Sequence, residues 1–411
     1  MNAETELVDV RPRWTFRWTS TRRVLAVVAI VGGGFAALRM LYGLGATTNL
    51  SDRWPWGLWV WWDVLTGVAL AGGGYSTALL VHFLGRHRWK PVERAAFLTS
   101  LIGYLLVCAG LFLDLGRWTN VWQIPLVWRL NAHSVMFELM WCVLGYTVVQ
   151  IVEFGYIFIE RARAPRLAKI LSRIYAPVLI VGITLPLLHQ SALGSLYLLA
   201  AGRLDPLWYS MLLPLFFLVS SFFVGPAMVT VESFLSARAH GRRPPVGVLA
   251  EMARLAGFLM LAYFCVKVVD LAWRGVLTRA VDGSTVSTLF LVEVGLGVLV
   301  PALLFLSPGL AHRPARLVTA AGLTVLGVAL GRANVVFTGM AASAGGASYL
   351  PSLAEVGVTA GLVAAGVLAY LFVVENFPIL PPAEPRVPAT GARRPTVAPT
   401  PVRQGELVGT R

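Results

Sequence analysis

Residues 286–306 read Val-Ser-Thr-Leu-Phe-Leu-Val-Glu-Val-Gly-Leu-Gly-Val-Leu-Val-Pro-Ala-Leu-Leu-Phe-Leu, with Glu293 as their single charged side chain. A helix rises 1.5 Å per residue, so about 20 apolar residues cross the hydrocarbon core of a membrane. Nine further stretches meet the same test: 24–44, 56–84, 94–115, 127–152, 174–201, 208–235, 251–275, 316–337 and 354–373. The whole 411-residue chain is 57% hydrophobic and 13% charged, with a mean hydropathy of +0.72. A soluble domain carries about 25% charged residues. The composition excludes an ordinary soluble enzyme, a disordered chain, a coiled coil and a disulfide-stapled secreted domain. The expected fold is an all-α polytopic membrane protein of ten transmembrane helices. Pro177, Pro186, Pro214 and Pro226 fall inside the fifth and sixth spans, where kinks are expected.

The net charge of +14 is unevenly spread along the chain. One side of the membrane collects the N-terminal arginines, the loops around Arg86–Arg94, Arg161–Arg173 and Arg238–Arg254, then Arg313, Arg316 and the C-terminal tail. The other side receives Arg53, Arg117, Arg129, Arg203, Arg274 and Arg279. Basic loops stay in the cytoplasm, so both termini are expected there, and nucleic acid is not an expected partner. The first span follows a long basic leader with no small-residue cleavage site, so it reads as a retained helix. Residues 1–23 form a cytoplasmic segment, 24–373 the membrane domain, and 374–411, rich in Pro, Ala, Thr and Arg, a disordered cytoplasmic tail.

Metal-ligating patterns are weak. Cys108, Cys142 and Cys265 are isolated in apolar runs, read as small buried residues, and no CxxC or CxxCH occurs. Among the histidines, only His133 and His189 could face each other at one depth; His82, His87, His240 and His312 lie near or in inner loops. No haem or iron–sulfur cluster of the chain's own is expected.

Ionisable residues inside spans are expensive and mark function or pairing. Asp63, Asp114, His133, Glu293, Arg332 and Asn334 fall near outer ends, and Lys267, Asp270 and His189 in the outer half. Tyr104 and Glu138 read as mid-depth, and Glu153 and Glu232 as inner. Asn131, Ser134, Glu138, Cys142 and Gly145 share one helical face. Lys267 and Asp270 are spaced to pair, as are Asp114 and Arg117. The tryptophans of Trp54-Pro-Trp-Gly-Leu-Trp59 suit an interfacial belt, and could also line a slot for a flat ring. The runs Gly32–Gly34 and Gly72–Gly74 suggest close helix packing.

Asn49-Leu-Ser-Asp-Arg-Trp-Pro-Trp-Gly-Leu-Trp59, Asp63-Val-Leu-Thr-Gly67 and Ala71-Gly-Gly-Gly-Tyr75 resemble the NrfD/PsrC family of quinone-interacting membrane subunits. Asp114-Leu-Gly-Arg-Trp118, Asn131 through Glu138 and His189-Gln-Ser-Ala-Leu-Gly194 extend the likeness. Arg332-Ala-Asn334, Tyr349-Leu-Pro-Ser352 and Glu355, with ten spans, resemble the HybB-type subunit of respiratory nickel–iron hydrogenases. The resemblance implies two four-helix bundles, spans two to five and six to nine, plus two extra helices. It implies a bacterial inner-membrane protein without redox cofactors of its own. A periplasmic ferredoxin-like iron–sulfur subunit, beside hydrogenase large and small subunits, would deliver electrons to menaquinone near the outer face. Asp114 and His133 would then contact or protonate the quinone carbonyls, with Asp63, Arg117, Asn131 and Trp56 shaping the pocket. Glu138, Tyr104, Glu153 and Glu232 would bring protons from the cytoplasm, and Lys267 and Asp270 join that route or a cavity wall. The same quinone role in a molybdoenzyme or cytochrome-linked complex, a bare membrane anchor and a transporter are the competing readings.

Overall fold

A computed structural model describes residues 14–124, 126, 131–162, 165–199, 202–345 and 348–380. Among the described residues, ten helices are long and apolar enough to cross a membrane. They are α1 (Ser20–Tyr42), α2 (Trp59–Phe83), α3 (His87–Asp114), α4 (Val135–Gly155), α5 (Lys169–Leu198), α6 (Leu213–Ala239), α7 (Val246–Trp273), α8 (Thr285–Leu306), α9 (Pro314–Ala344) and α10 (Leu353–Asn376). Every expected span is present, and no strand occurs among the described residues. The expected tail lies outside the described residues from 381 onward.

Local chemistry sets the helix starts. Ser284 accepts from the backbone N–H of Ser287 ahead of α8, and Ser352 and Glu355 form a capping box at α10. Pro214 lies in the first turn of α6, where its missing N–H costs nothing, so it is not an interior kink. Pro177, Pro186 and Pro226 are interior. Span four starts later than expected. Asn131 Oδ1 accepts from the His133 N–H at 3.0 Å and the Asn131 carbonyl from the Ser134 N–H at 3.0 Å. This side-chain-stabilised turn competes with the helix and delays its start to Val135.

Packing divides the spans into two rings and a pair. Helices α2 to α5 each touch the next, and α5 closes back on α2; α6 to α9 do the same. The rings meet along α6, which packs on both α5 and α2 of the first ring. Helices α1 and α10 pair with each other and lean on α2 and α3. Small residues make the closest crossings, as expected without a hydrophobic drive between helices in lipid. A methyl on Gly327 of α9 would meet the backbone of Gly297 on α8, and one on Gly32 of α1 the backbone of Gly361 on α10. Gly72, Gly73 and Gly74 are all tightly packed, whereas Gly33 and Gly34 face open space. Cys142 is buried as expected, Cys108 half-buried, but Cys265 is exposed on the outer surface of the ring.

Four π-helical turns interrupt the spans: Trp59–Thr66 and Leu79–Phe83 in α2, Val292–Leu299 in α8 and Asn334–Thr338 in α9. Three of them hold a buried polar residue: Asp63, Glu293 and Asn334. A π turn re-aims side chains inside an otherwise regular helix and recurs at functional sites.

Candidate functional site

The ends of α1 and α3 and the starts of α2 and α10 meet on the face opposite the described termini. Asp63, in the first π turn of α2, is buried and packs on Gly110 of α3. Its Oδ2 accepts from the Thr359 hydroxyl of α10 at 3.0 Å. One turn earlier, the indole N–H of Trp59 donates to the Glu355 carbonyl at 3.3 Å. The Glu355 side chain accepts from the Tyr349 hydroxyl, from the Asn49 N–H at 3.1 Å and from the Ser352 N–H at 2.8 Å. Tyr349 in turn accepts from the Leu58 N–H at 2.8 Å. Glu355 therefore fastens the approach to α2 onto the start of α10.

Arg39 of α1 is only 1% exposed. It donates to the carbonyls of Leu113 at 2.8 Å and Leu115 at 2.5 Å, satisfying the orphan acceptors at the end of α3. Asp114 lies between those two residues in sequence, half-buried, with Arg39, Asp63 and Glu355 as its nearby ionisable groups. Among the described residues it makes no hydrogen bond and no ion pair. The expected Asp114–Arg117 pair is not formed: Gly116 turns the chain, Arg117 is exposed, and the arginine at Asp114 is Arg39. An acid with free oxygens beside a fixed guanidinium can accept from, or give a proton to, a polar ligand.

The other outer-face expectations divide. Trp56 meets Tyr197 edge-on at 5.1 Å, Trp54 stacks on Tyr349 at 6.3 Å, and Tyr349 on Phe337 at 5.7 Å. Asn131 and His133 are exposed, in the turn before α4. Glu138 is not mid-depth: with α4 starting at Val135 it falls in the first turn and is exposed.

The middle of the first ring is lined by hydroxyl, imidazole and amide groups. Tyr104 of α3, fully buried, donates to His189 Nε2 of α5 at 2.7 Å, while His189 Nδ1 donates to the Leu185 carbonyl at 3.0 Å. That pair of bonds fixes the tautomer. Tyr104 packs edge-on against Tyr146 of α4, ring centres 4.5 Å apart. The Tyr146 hydroxyl shares Ser100 Oγ at 3.3 Å, and Gln150 Nε2 donates to Ser100 Oγ at 2.9 Å and to Tyr146. Glu153 follows Gln150 by one turn and packs on Gly182. Glu232 accepts from Tyr370 at 2.8 Å, and its second oxygen has no partner among the described residues. The Tyr104 and Tyr146 pieces are not hydrogen-bonded to each other. His189, engaged with Tyr104, does not face the exposed His133.

The second ring holds charges. Lys267 of α7 pairs with Glu293 of α8 at 2.7 Å and not with Asp270, which instead takes Arg274 at 2.7 Å and Ser210 at 2.8 Å. The reason is direction: Glu293, turned inward by its π segment, also accepts from Trp208 at 2.8 Å and Asn334 at 2.9 Å. Lys267 and Asp270 thus stand apart from the tyrosine column. Arg39 and Glu355 join the candidate site although the depth of ionisable residues in the spans does not single them out. Their signal was a lone arginine near the end of an apolar span and a capping-box glutamate.

The family model described as Polysulphide reductase, NrfD matches residues 46–344. The chain is 31% identical to the probable Ni/Fe-hydrogenase 2 b-type cytochrome subunit of Escherichia coli K12, over 84% of this chain and 88% of that one. It is 27% identical to the menaquinone reductase integral membrane subunit of Nitratidesulfovibrio vulgaris, over 85% and 89%. It is 25% identical to a putative dimethyl sulfoxide reductase membrane subunit of Halobacterium salinarum, over 87% and 90%. Ten membrane-spanning helices and a match across most of its length make this chain a multi-pass membrane protein of the NrfD family.

Proposed function

We propose that the chain is the quinone-reactive membrane subunit of a respiratory hydrogen-oxidising complex, with its quinone site at the Arg39–Asp63–Asp114 cluster. The observation that carries the reading is Asp114: a half-buried carboxylate with no partner among the described residues, beside a buried arginine and a second buried acid. Bound menaquinone would supply two-electron, two-proton redox chemistry there. Asp114 is the group that holds or donates a proton at a quinone oxygen. Asp63, anchored by Thr359, adds negative charge beside it and sets the pocket wall with Gly110. Trp56 and the stacked Trp54–Tyr349 pair supply flat apolar surface along the same rim. Arg117, Asn131 and His133, exposed on that face, suit a docking surface for an iron–sulfur subunit better than contact with the quinone ring.

The positive-inside reading makes this the periplasmic face and puts both termini in the cytoplasm. Protons would come from the cytoplasmic side through Glu232 or Glu153, then Gln150, Ser100, Tyr146, Tyr104 and His189. The two hydrogen-bonded pieces support this path, and Glu138 has no part in it. A hydrogenase as the electron donor rests on the likeness to the Escherichia coli subunit. The menaquinone reductase relative favours the second reading, the same quinone site served by another electron donor.

The test is hydrogen-dependent reduction of a menaquinone analogue by the purified native complex, in liposomes carrying a membrane-potential dye. Reduction with a potential change is the expected result. Reduction without a potential change removes the cytoplasmic proton path and keeps the site. An intact complex that reduces the analogue with another donor but not with hydrogen supports the second reading.

A further inference from the structure

The second ring encloses a cavity lined by Tyr263, Lys267, Asp270, Arg274, Glu293 and Arg332, among apolar neighbours. Its volume is about 40 Å³, counted for the centres of water-sized spheres. About 10–15 Å³ on that measure holds one water, so the space takes roughly three waters, or one halide and a water.

The charges around it do not balance. Lys267, Arg274 and Arg332 face the two carboxylates Asp270 and Glu293. Both carboxylates are committed. Glu293 accepts from Lys267, Trp208 and Asn334, and Asp270 from Arg274 and Ser210. Arg332 is 4% exposed and meets no carboxylate within ion-pair distance among the described residues. One of its nitrogens donates to the Phe217 carbonyl at 3.1 Å and the Ser220 hydroxyl at 2.9 Å, and the guanidinium stacks on the Phe217 ring at 3.4 Å. Its Nε is buried with no acceptor. A guanidinium cannot shed its proton in a protein, and an uncompensated charge inside a membrane is costly.

We propose that this cavity binds one small monovalent anion of halide size, held by the free N–H of Arg332. The anion balances the third cation of the cluster. It also holds Arg332 of α9 against Ser220 of α6; the following residue of α6, Ser221, accepts from Tyr75 of the first ring at 2.6 Å. The site is separate from the Asp63–Asp114 cluster and does not depend on what that cluster binds.

The experiment is thermal unfolding of the purified full chain in detergent, with sodium chloride, sodium bromide or sodium gluconate at constant ionic strength. Gluconate is too large for the cavity. Chloride and bromide should raise the melting temperature saturably by about 2–4 °C over gluconate, and Arg332→Gln should abolish the difference. A second measurement covers failure of that variant to fold: anomalous scattering from bromide-grown crystals of the unsubstituted chain should place bromide beside Arg332. Equal melting temperatures in halide and gluconate overturn the proposal, as does a halide effect that survives in Arg332→Gln. Bromide-free density filled by water alone overturns it too.

Discussion

The two four-helix rings solve the same problem, polar side chains in a membrane, in opposite ways. The second ring keeps charges in its interior and pairs most of them, with Lys267 on Glu293 and Arg274 on Asp270, while Arg332 meets no carboxylate among the described residues. The first ring fills the middle of its interior with hydroxyl, imidazole and amide groups, Tyr104, Tyr146, His189, Ser100 and Gln150, and keeps its acids, Asp63, Asp114 and Glu153, toward the helix ends. Paired charges resist change, because removing either partner strands the other in low dielectric. Neutral hydrogen-bonding groups and an unpartnered acid can exchange protons at small cost. Under the proposed function, the contrast gives stability to the second ring and chemistry to the first.

The largest effect expected from breaking this contrast is on stability. Glu293→Gln leaves Lys267 buried and unpaired and should cost about 3–5 kcal/mol, read as a large fall in melting temperature. Adding Lys267→Met should restore much of it. A mild single-variant effect would mean the pair is solvated, and the rings are less different than described. Next comes Asp114→Asn, which keeps size and loses the proton. Quinone reduction by the assembled complex should fall about 10²-fold, the scale of a lost general acid, while artificial-dye reduction and melting temperature stay near normal. Tyr104→Phe removes one buried hydrogen bond worth about 1 kcal/mol and should slow turnover several-fold, with His189 Nε2 left without its partner. Glu138→Gln is expected to do least. An exposed first-turn side chain should leave both turnover and stability within experimental scatter. A strong effect there would return α4 to the proton path.

The ten spans were legible because hydrophobic length is a local property: each helix carries its own signal. The two rings followed from the family resemblance, and the packing bears them out. Depth was less legible. Counting inward from residue 127 puts Glu138 at mid-depth, but the turn at Asn131–Ser134 takes up residues that would otherwise form the first turn of α4. Partnership was least legible. The spacing of Lys267 and Asp270 suggested a pair on one helix, but the true partner, Glu293, comes from the next span, aimed inward by a π turn that no periodicity announces. Arg39 was passed over for the same reason: its acceptors are backbone carbonyls of α3, far along the chain. Asp63 and Asp114 were found because an acid in an apolar span stands out wherever its partners lie.

The most direct test of the claim that the first ring's rim is the reactive site is a side-by-side assay. Hydrogen-driven menaquinone-analogue reduction is measured in native complexes carrying Asp114→Asn, Glu138→Gln or the unsubstituted chain, with dye reduction as the control for assembly. Loss confined to Asp114→Asn, with Glu138→Gln equal to the unsubstituted complex, is the predicted result. Normal quinone reduction in an assembled Asp114→Asn complex would contradict it.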